Sequence, residues 1–135
     1  MEYQMEYSEE LISSFGLWKK LNYDNKWNKA PLIVKLFLLE ELINTLWYYQ
    51  EDTVNPTRVL LGDYYCYNPR TRTIFFDKNH ASIISALHEL GHHLFGPNEL
   101  EACRWSIQLY AKIFPKEFSK LKWNGHMLIK SHGQN

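Results

Sequence analysis

The segment from Ile84 to Phe95 limits the possible folds of this chain more than any other. Its apolar residues and its polar residues recur at spacings that place them on different sides of a helix. The apolar stripe consists of Ile83, Leu87, Leu90 and Leu94. A helix turns by about 100° per residue, so this stripe points away from His88 and His92, which lie one turn apart on another side. The pattern predicts an amphipathic helix over residues 80–95, with one side in the core and the other facing a cleft.

The polar side of this helix carries the motif H-E-x-x-H, formed by His88, Glu89 and His92. Two imidazoles four residues apart can reach the same metal ion. Glu89 is turned too far to join them, but it can contact a water on the metal, which is the position of a general base. Zinc suits this donor set because it accepts imidazole nitrogen and carboxylate oxygen in a tetrahedral shell. Gly91, on the same side, leaves space for substrate or for a close neighbouring strand.

Two histidines leave such a site one protein ligand short, and two glutamates follow closely. The connection 96–98 is short enough to fold the next helix, predicted over residues 98–114, back antiparallel to the first. Glu99 and Glu101 both lie in the first turn of that helix. An acidic first turn behind a cap at Asn98 also stabilises a helix without any metal. Spacing alone therefore leaves the two glutamates equal as candidates for the third ligand.

A family resemblance separates these two candidates. The motif His88-Glu-Leu-Gly-His92, followed by Glu99-Leu-Glu-Ala102, resembles the gluzincin pattern of H-E-x-x-H with a later E-x-x-A-(D/N). It most resembles the small ImmA/IrrE-type metallopeptidases, over about residues 58–115. In that pattern the glutamate three residues before the alanine is the metal ligand. The resemblance therefore implies that Glu99 is the third zinc ligand, with Glu101 as the runner-up. Cys103 stands where the family usually has Asp or Asn beside a metal-binding histidine.

The resemblance also implies an activity and a partner. It implies a cytoplasmic zinc-dependent endopeptidase whose substrate is a protein or peptide, such as a transcriptional repressor of a phage or mobile element. The alternative is a zinc-binding or metal-free protein-interaction module on the same scaffold, with little or no catalysis. Glu89 favours the enzyme, because a purely structural site has no need of it. Such enzymes usually add a donor for the oxyanion, and four residues are candidates for it: His126, Tyr110, Tyr64 and Tyr65.

Composition excludes several other classes of protein. Fifteen basic and fifteen acidic residues give a net charge of zero, so direct binding to nucleic acid is not expected. The chain opens with a polar, acidic segment rather than a secretory signal, which predicts a cytoplasmic protein. The apolar run 32–49 is interrupted by charged residues and predicts a core helix rather than a membrane span. Cys66 and Cys103 are expected to be reduced.

The remaining elements complete the predicted fold. A chain of 135 residues with 45% hydrophobic content has enough apolar material for one core, so a single domain over 1–135 is expected. Helices are predicted over 9–50. Between residues 57 and 76, β-branched and aromatic residues flank an Asn-Pro turn, which predicts a small antiparallel sheet.

The helix that carries the H-E-x-x-H motif follows this sheet, and we expect Asp77 or Asn79 to cap it. A C-terminal segment covers residues 115–135. The predicted fold class is α+β: a mainly helical, minimal zincin-like domain with the small sheet packed beside the H-E-x-x-H helix.

Overall fold

A computed structural model describes residues 4–124 and 127–130 of the chain, with side-chain environments described as far as residue 121. Contacts within the chain define two compact units, Tyr7–Ala86 and Met1–Glu6 together with Leu87–Asn135. The single domain expected over 1–135 stays a prediction. The fold class is confirmed, since the protein is mainly helical with a small three-stranded sheet.

The unit Tyr7–Ala86 begins with two amphipathic helices, α1 (Glu9–Trp18) and α2 (Leu32–Glu51), joined by a π-helical turn and a 3-10 turn. Ser8 caps α1, because its hydroxyl accepts a hydrogen bond from the Leu11 amide at 3.1 Å. The two helices pack on each other through buried side chains, each of which stabilises the fold by about 1.5–3 kcal/mol. The buried residues of these helices are Leu11, Phe15, Trp18, Leu36, Leu39, Leu42, Ile43 and Leu46.

The sheet of this unit contains β1 (Arg58–Leu61), β2 (Cys66–Asn68) and β3 (Thr73–Phe76), in the order β1-β3-β2. β2 and β3 are antiparallel around the Asn-Pro turn, as expected, but β1 runs parallel to β3. The prediction of a purely antiparallel sheet is therefore wrong, and the sheet is mixed. β1 ends at Leu61, and the amide of Gly62 still donates to the carbonyl of Phe76 at 3.0 Å. The chain then crosses β3, so that β2 pairs with the other edge of β3.

Side chains of α2 cover the outer edge of β1. Asn44 accepts a hydrogen bond from the Thr57 amide at 2.8 Å and donates one to the Thr57 carbonyl at 2.9 Å, as a neighbouring strand would. Glu40 accepts a hydrogen bond from the Val59 amide at 2.8 Å. These contacts satisfy backbone groups that an edge strand otherwise leaves open, and they fix the helix to the sheet.

Helix α3 (Ile83–Phe95) begins three residues later than predicted and has a different cap. The hydroxyl of Ser82 accepts a hydrogen bond from the Ser85 amide at 3.2 Å, so the expectation of Asp77 or Asn79 as the cap is wrong. Asp77 instead accepts a hydrogen bond from the Asn79 amide and contacts Nδ1 of His80 at 2.6 Å. That local turn occupies its carboxylate before the helix starts.

The second unit contains the later part of α3, then α4 (Glu99–Ile113), α5 (Pro115–Phe118) and a hairpin of β4 (Leu121–Asn124) and β5 (Met127–Lys130). Asn98 caps α4 by accepting a hydrogen bond from the Glu101 amide at 3.2 Å. In the part of the chain that the structure describes, no helix combines the length and the apolar character needed to cross a membrane.

Candidate metal centre

Helix α3 has the two sides that its sequence predicts. Ile83, Leu87 and Leu90 are buried, and Leu94 is half-buried. The two motif histidines lie on another side of the helix and are half-buried, so their rings are partly accessible. The apolar stripe anchors the helix while leaving the imidazoles available for binding.

The turn after α3 depends on a glycine in the left-handed region. Gly96 has a φ of 66°, and its amide donates to the carbonyl of His92 at 2.8 Å. Glycine ends a helix in this conformation with the least strain, because it lacks a side chain. Asn98 then starts α4 two residues later, so the first turn of α4 follows the last turn of α3 closely.

Helices α3 and α4 come unusually close at Gly91 and Ala102. A Cβ at position 91 would lie 2.8 Å from the carbonyl oxygen of Ala102 and 3.0 Å from its Cα. Gly91 therefore accommodates a neighbouring helix rather than a strand or a substrate. Because Ala102 lies one turn after Glu99, this contact helps to bring the carboxylate of Glu99 towards the histidines.

Three side chains converge beside this contact: His88, His92 and Glu99. Nε2 of His88 lies 2.9 Å from Oε1 of Glu99, and Nε2 of His92 lies 3.2 Å from Oε2. One ligand atom from each residue can be chosen so that all three lie within 4.8 Å of one another. The group could hold a metal ion.

The two distances from the histidines to Glu99 are close to the ligand separation of a tetrahedral metal site. Bonds of about 2.0–2.1 Å to nitrogen and oxygen place two ligands of a tetrahedral ion about 3.3 Å apart. The observed distances of 2.9 and 3.2 Å from the histidines to the carboxylate require only small side-chain adjustments to reach that value. Two neutral imidazoles and one carboxylate are also the donor types that a catalytic zinc ion accepts.

The protein fixes the tautomer of His92. Its Nδ1 lies 2.8 Å from the carbonyl oxygen of Gly96, which can only accept, so Nδ1 carries the proton. Nε2 lies 3.2 Å from Oε2 of Glu99, to which it donates, and a bound metal would take the place of that proton. A backbone carbonyl is a common outer partner of a metal-binding histidine, because it holds the ring in the binding orientation.

Glu101 does not join the cluster. Its Oε1 accepts a hydrogen bond from Arg104 at 3.3 Å, and its amide bonds to the cap residue Asn98. The structure thus brings Glu99 to the histidines and leaves Glu101 in a local ion pair on α4. Only the resemblance separated these two residues in the sequence.

Cys103 lies behind the cluster and is almost fully buried. Its Sγ lies 3.3 Å from Oε1 of Glu99 and 3.8 Å from Nδ1 of His88. Burial, together with the neighbouring carboxylate of Glu99, raises the pKa of the Cys103 thiol to about 12. The side chain is therefore a protonated thiol at neutral pH. The sequence showed only that a cysteine replaces the usual Asp or Asn, and it gave no sign of these contacts.

Glu89 lies on α3 between the two histidines and is half-buried. It forms no hydrogen bond or ion pair with any residue in the described part of the chain. It is not a member of the three-residue cluster. Within the described residues, no hydrogen bond or ion pair therefore occupies its carboxylate.

The candidates for an oxyanion donor have varied environments. Tyr110 is buried and its ring stacks on Phe114 at 5.0 Å, whereas Tyr64 is exposed. Tyr65 donates its hydroxyl to the Ser85 carbonyl at 3.0 Å. His126 lies outside the described residues, so its candidacy stays a prediction.

Comparisons of the chain with protein-family models, curated proteins and solved structures found no match. The assignment of the site therefore rests on its own residues, their distances and the chemistry of their side chains.

Proposed function

We propose that the protein is a zinc-dependent endopeptidase, with His88, His92 and Glu99 as metal ligands and Glu89 as the general base. The observation that carries the proposal is the convergence of Glu99 on the two histidines of an H-E-x-x-H helix. The three residues would hold the ion, and three protein ligands are the number that catalytic zinc sites use.

Zinc held by these residues would supply Lewis-acid chemistry, because catalytic zinc lowers the pKa of its water to about 7 and polarises carbonyl groups. The carboxylate of Glu89 accepts a proton from the water as its oxygen attacks the carbonyl carbon of a peptide bond. Glu89 then passes this proton to the amide nitrogen as the carbon–nitrogen bond breaks. The products are a carboxylate and an amine.

The contacts of the ligands support a catalytic role. His92 is held by Gly96 through Nδ1, on the side of the ring away from Glu99, and Oε1 of Glu99 accepts a hydrogen bond from Cys103. Glu89, by contrast, has no hydrogen bond or ion pair among the described residues, which leaves its carboxylate available to move a proton. A structural zinc site needs no such carboxylate.

The substrate that we propose is a repressor-like regulatory protein of a phage or mobile element. This choice comes from the resemblance of the two motifs to ImmA/IrrE-type metallopeptidases. A protein substrate is also consistent with a half-buried cluster, because its imidazoles are partly open to solvent.

The test compares the wild type with Glu89→Gln, both loaded with zinc, on candidate repressor proteins and on a mixture of peptides from a digested proteome. Mass spectrometry identifies new peptide termini. We expect cleavage by the wild type and none by Glu89→Gln, with one zinc per chain in both proteins. Equal cleavage by both would contradict the role of Glu89. Zinc binding without cleavage by the wild type would favour the interaction module.

A further inference from the structure

We propose that Cys103 is a positioning residue, whose thiol holds the ligands His88 and Glu99 in the orientation that metal binding requires. This inference rests on the proposed metal centre and identifies the residue that orients two of its ligands. It concerns a position where the resembling family usually has a different side chain.

The directions of the two hydrogen bonds follow from the chemistry of the partners. A carboxylate only accepts, so the Cys103 thiol donates to Oε1 of Glu99, at 3.3 Å. The sulfur atom can then accept from Nδ1 of His88, at 3.8 Å. Nε2 of His88 lies 2.9 Å from Oε1 of Glu99 and donates to it; once a metal replaces that proton, the proton on Nδ1 leaves the lone pair of Nε2 for the ion. A single thiol thus favours the binding tautomer of one ligand and fixes an oxygen of another.

Cys103 acts on His88 from behind the imidazole ring and is not a ligand itself. Its sulfur contacts Nδ1 of His88, whereas the cluster forms through Nε2 on the opposite side of the imidazole ring. The side chain is only 2% exposed, which keeps water from competing for its hydrogen bonds. Among the described residues, the group that could hold a metal does not include it.

The two histidines consequently have different partners. His92 donates to the backbone carbonyl of Gly96, which is set by the helix-ending turn. His88 contacts a side chain on α4, the helix that also carries Glu99. Cys103 therefore couples a ligand on α3 to a ligand on α4, and its removal should loosen both at once. Loss of such outer partners typically weakens metal affinity on the order of 10–100-fold.

The test measures Co²⁺ affinity by competition with a chelator and records the visible absorption spectrum of the bound ion. Cys103→Ala and Cys103→Val remove both hydrogen bonds, and the valine keeps the buried volume. Cys103→Ser retains a hydroxyl that can donate and accept. The matched control is Ser106→Ala, which removes another buried polar group of α4 whose hydroxyl donates to the Ala102 carbonyl at 2.8 Å. Circular dichroism verifies the folding of each variant.

We expect on the order of 10–100-fold weaker Co²⁺ binding and an altered spectrum in the alanine and valine variants. The serine variant should recover most of the affinity, and Ser106→Ala should match the wild type. Wild-type affinity and spectrum in folded Cys103→Ala or Cys103→Val would overturn the proposal. A thiolate-to-cobalt charge-transfer band that disappears in Cys103→Ser would also overturn it, because Cys103 would then be a ligand. Failure of the wild type to bind Co²⁺ or Zn²⁺ would instead overturn the metal centre itself.

Discussion

Gly91 and Ala102 bring two helices into backbone contact beside the candidate metal centre, since a Cβ on Gly91 would lie 2.8 Å from the Ala102 carbonyl oxygen. The close approach lets Glu99, one turn before Ala102, reach His88 and His92 across the gap between the helices. The alanine of the E-x-x-A pattern is thus explained by packing: a larger side chain would compete for the same space.

Gly91→Ala should separate the helices and disrupt the cluster. The contact is with backbone atoms, which cannot rotate away as a flexible side chain can, so we expect destabilisation by about 1–3 kcal/mol and loss of bound zinc. The matched control is Gly16→Ala in α1, where an added Cβ meets nothing within 4 Å. It should stabilise the protein by about 0.5–1 kcal/mol, since alanine is the better helix former. Thermal unfolding and zinc content measure both effects, and a Gly91→Ala protein with full zinc and unchanged stability would contradict this account.

Glu99→Ala and Glu101→Ala should differ in metal content. The first removes the proposed ligand, which lies within 3.2 Å of both histidines, so we expect the zinc to be lost. The second removes only a partly exposed ion pair with Arg104, whose contribution to stability is at most about 1 kcal/mol. Zinc should therefore remain in Glu101→Ala. The opposite result, with zinc retained in Glu99→Ala and lost in Glu101→Ala, would transfer the ligand role to Glu101.

Asn44→Ala should destabilise the unit Tyr7–Ala86. The substitution leaves the amide and carbonyl of Thr57, a residue that is 1% exposed, without their side-chain partner. Each buried group left unsatisfied is destabilising by about 1–3 kcal/mol, so chemical denaturation should show a decrease of at least about 2 kcal/mol. Glu41→Ala, on the exposed side of the same helix, is the control and should change stability by less than about 0.5 kcal/mol. Equal stability of the two variants would mean that Asn44 does not hold β1.

The carboxyl group of Asp77 should titrate below its ordinary pKa, because it accepts a hydrogen bond from the His80 side chain. Because the pKa of Asp77 is lower in the folded state, its carboxylate stabilises the folded state at pH values above the pKa that the same group has in the unfolded chain. This contribution is lost as the pH falls through the pKa of the folded state. His80→Ala should raise the Asp77 pKa towards its ordinary range. Carboxyl chemical shifts followed by NMR over acidic pH provide the measurement, and an unchanged Asp77 titration in the variant would contradict the assigned cause.

Local signals in the sequence account for much of the fold. The cap at Asn98 and the helix end at Gly96 depend on residues close in the sequence, so the pattern predicts α4 and the end of α3 closely. Strand order depends on contacts between distant segments. The parallel pairing of β1 with β3 could not be read from residues that favour strands equally in either direction.

The site was predictable where its residues form a motif. The spacing of His88 and His92 follows from helix geometry, but the choice of Glu99 over Glu101 depends on how α4 packs on α3. The contacts of Cys103 required the structure as well. No sequence pattern assigns a role to a cysteine in that position. Its proposed role depends on its contacts with His88 and Glu99.

A crystal structure of the purified, zinc-loaded protein, with anomalous diffraction collected at the zinc absorption edge, tests the proposed metal centre. We expect one anomalous peak about 2.0–2.2 Å from Nε2 of His88, Nε2 of His92 and a carboxylate oxygen of Glu99. A peak coordinated by Glu101 or by Cys103 in place of Glu99, or no peak at the two histidines, would contradict it.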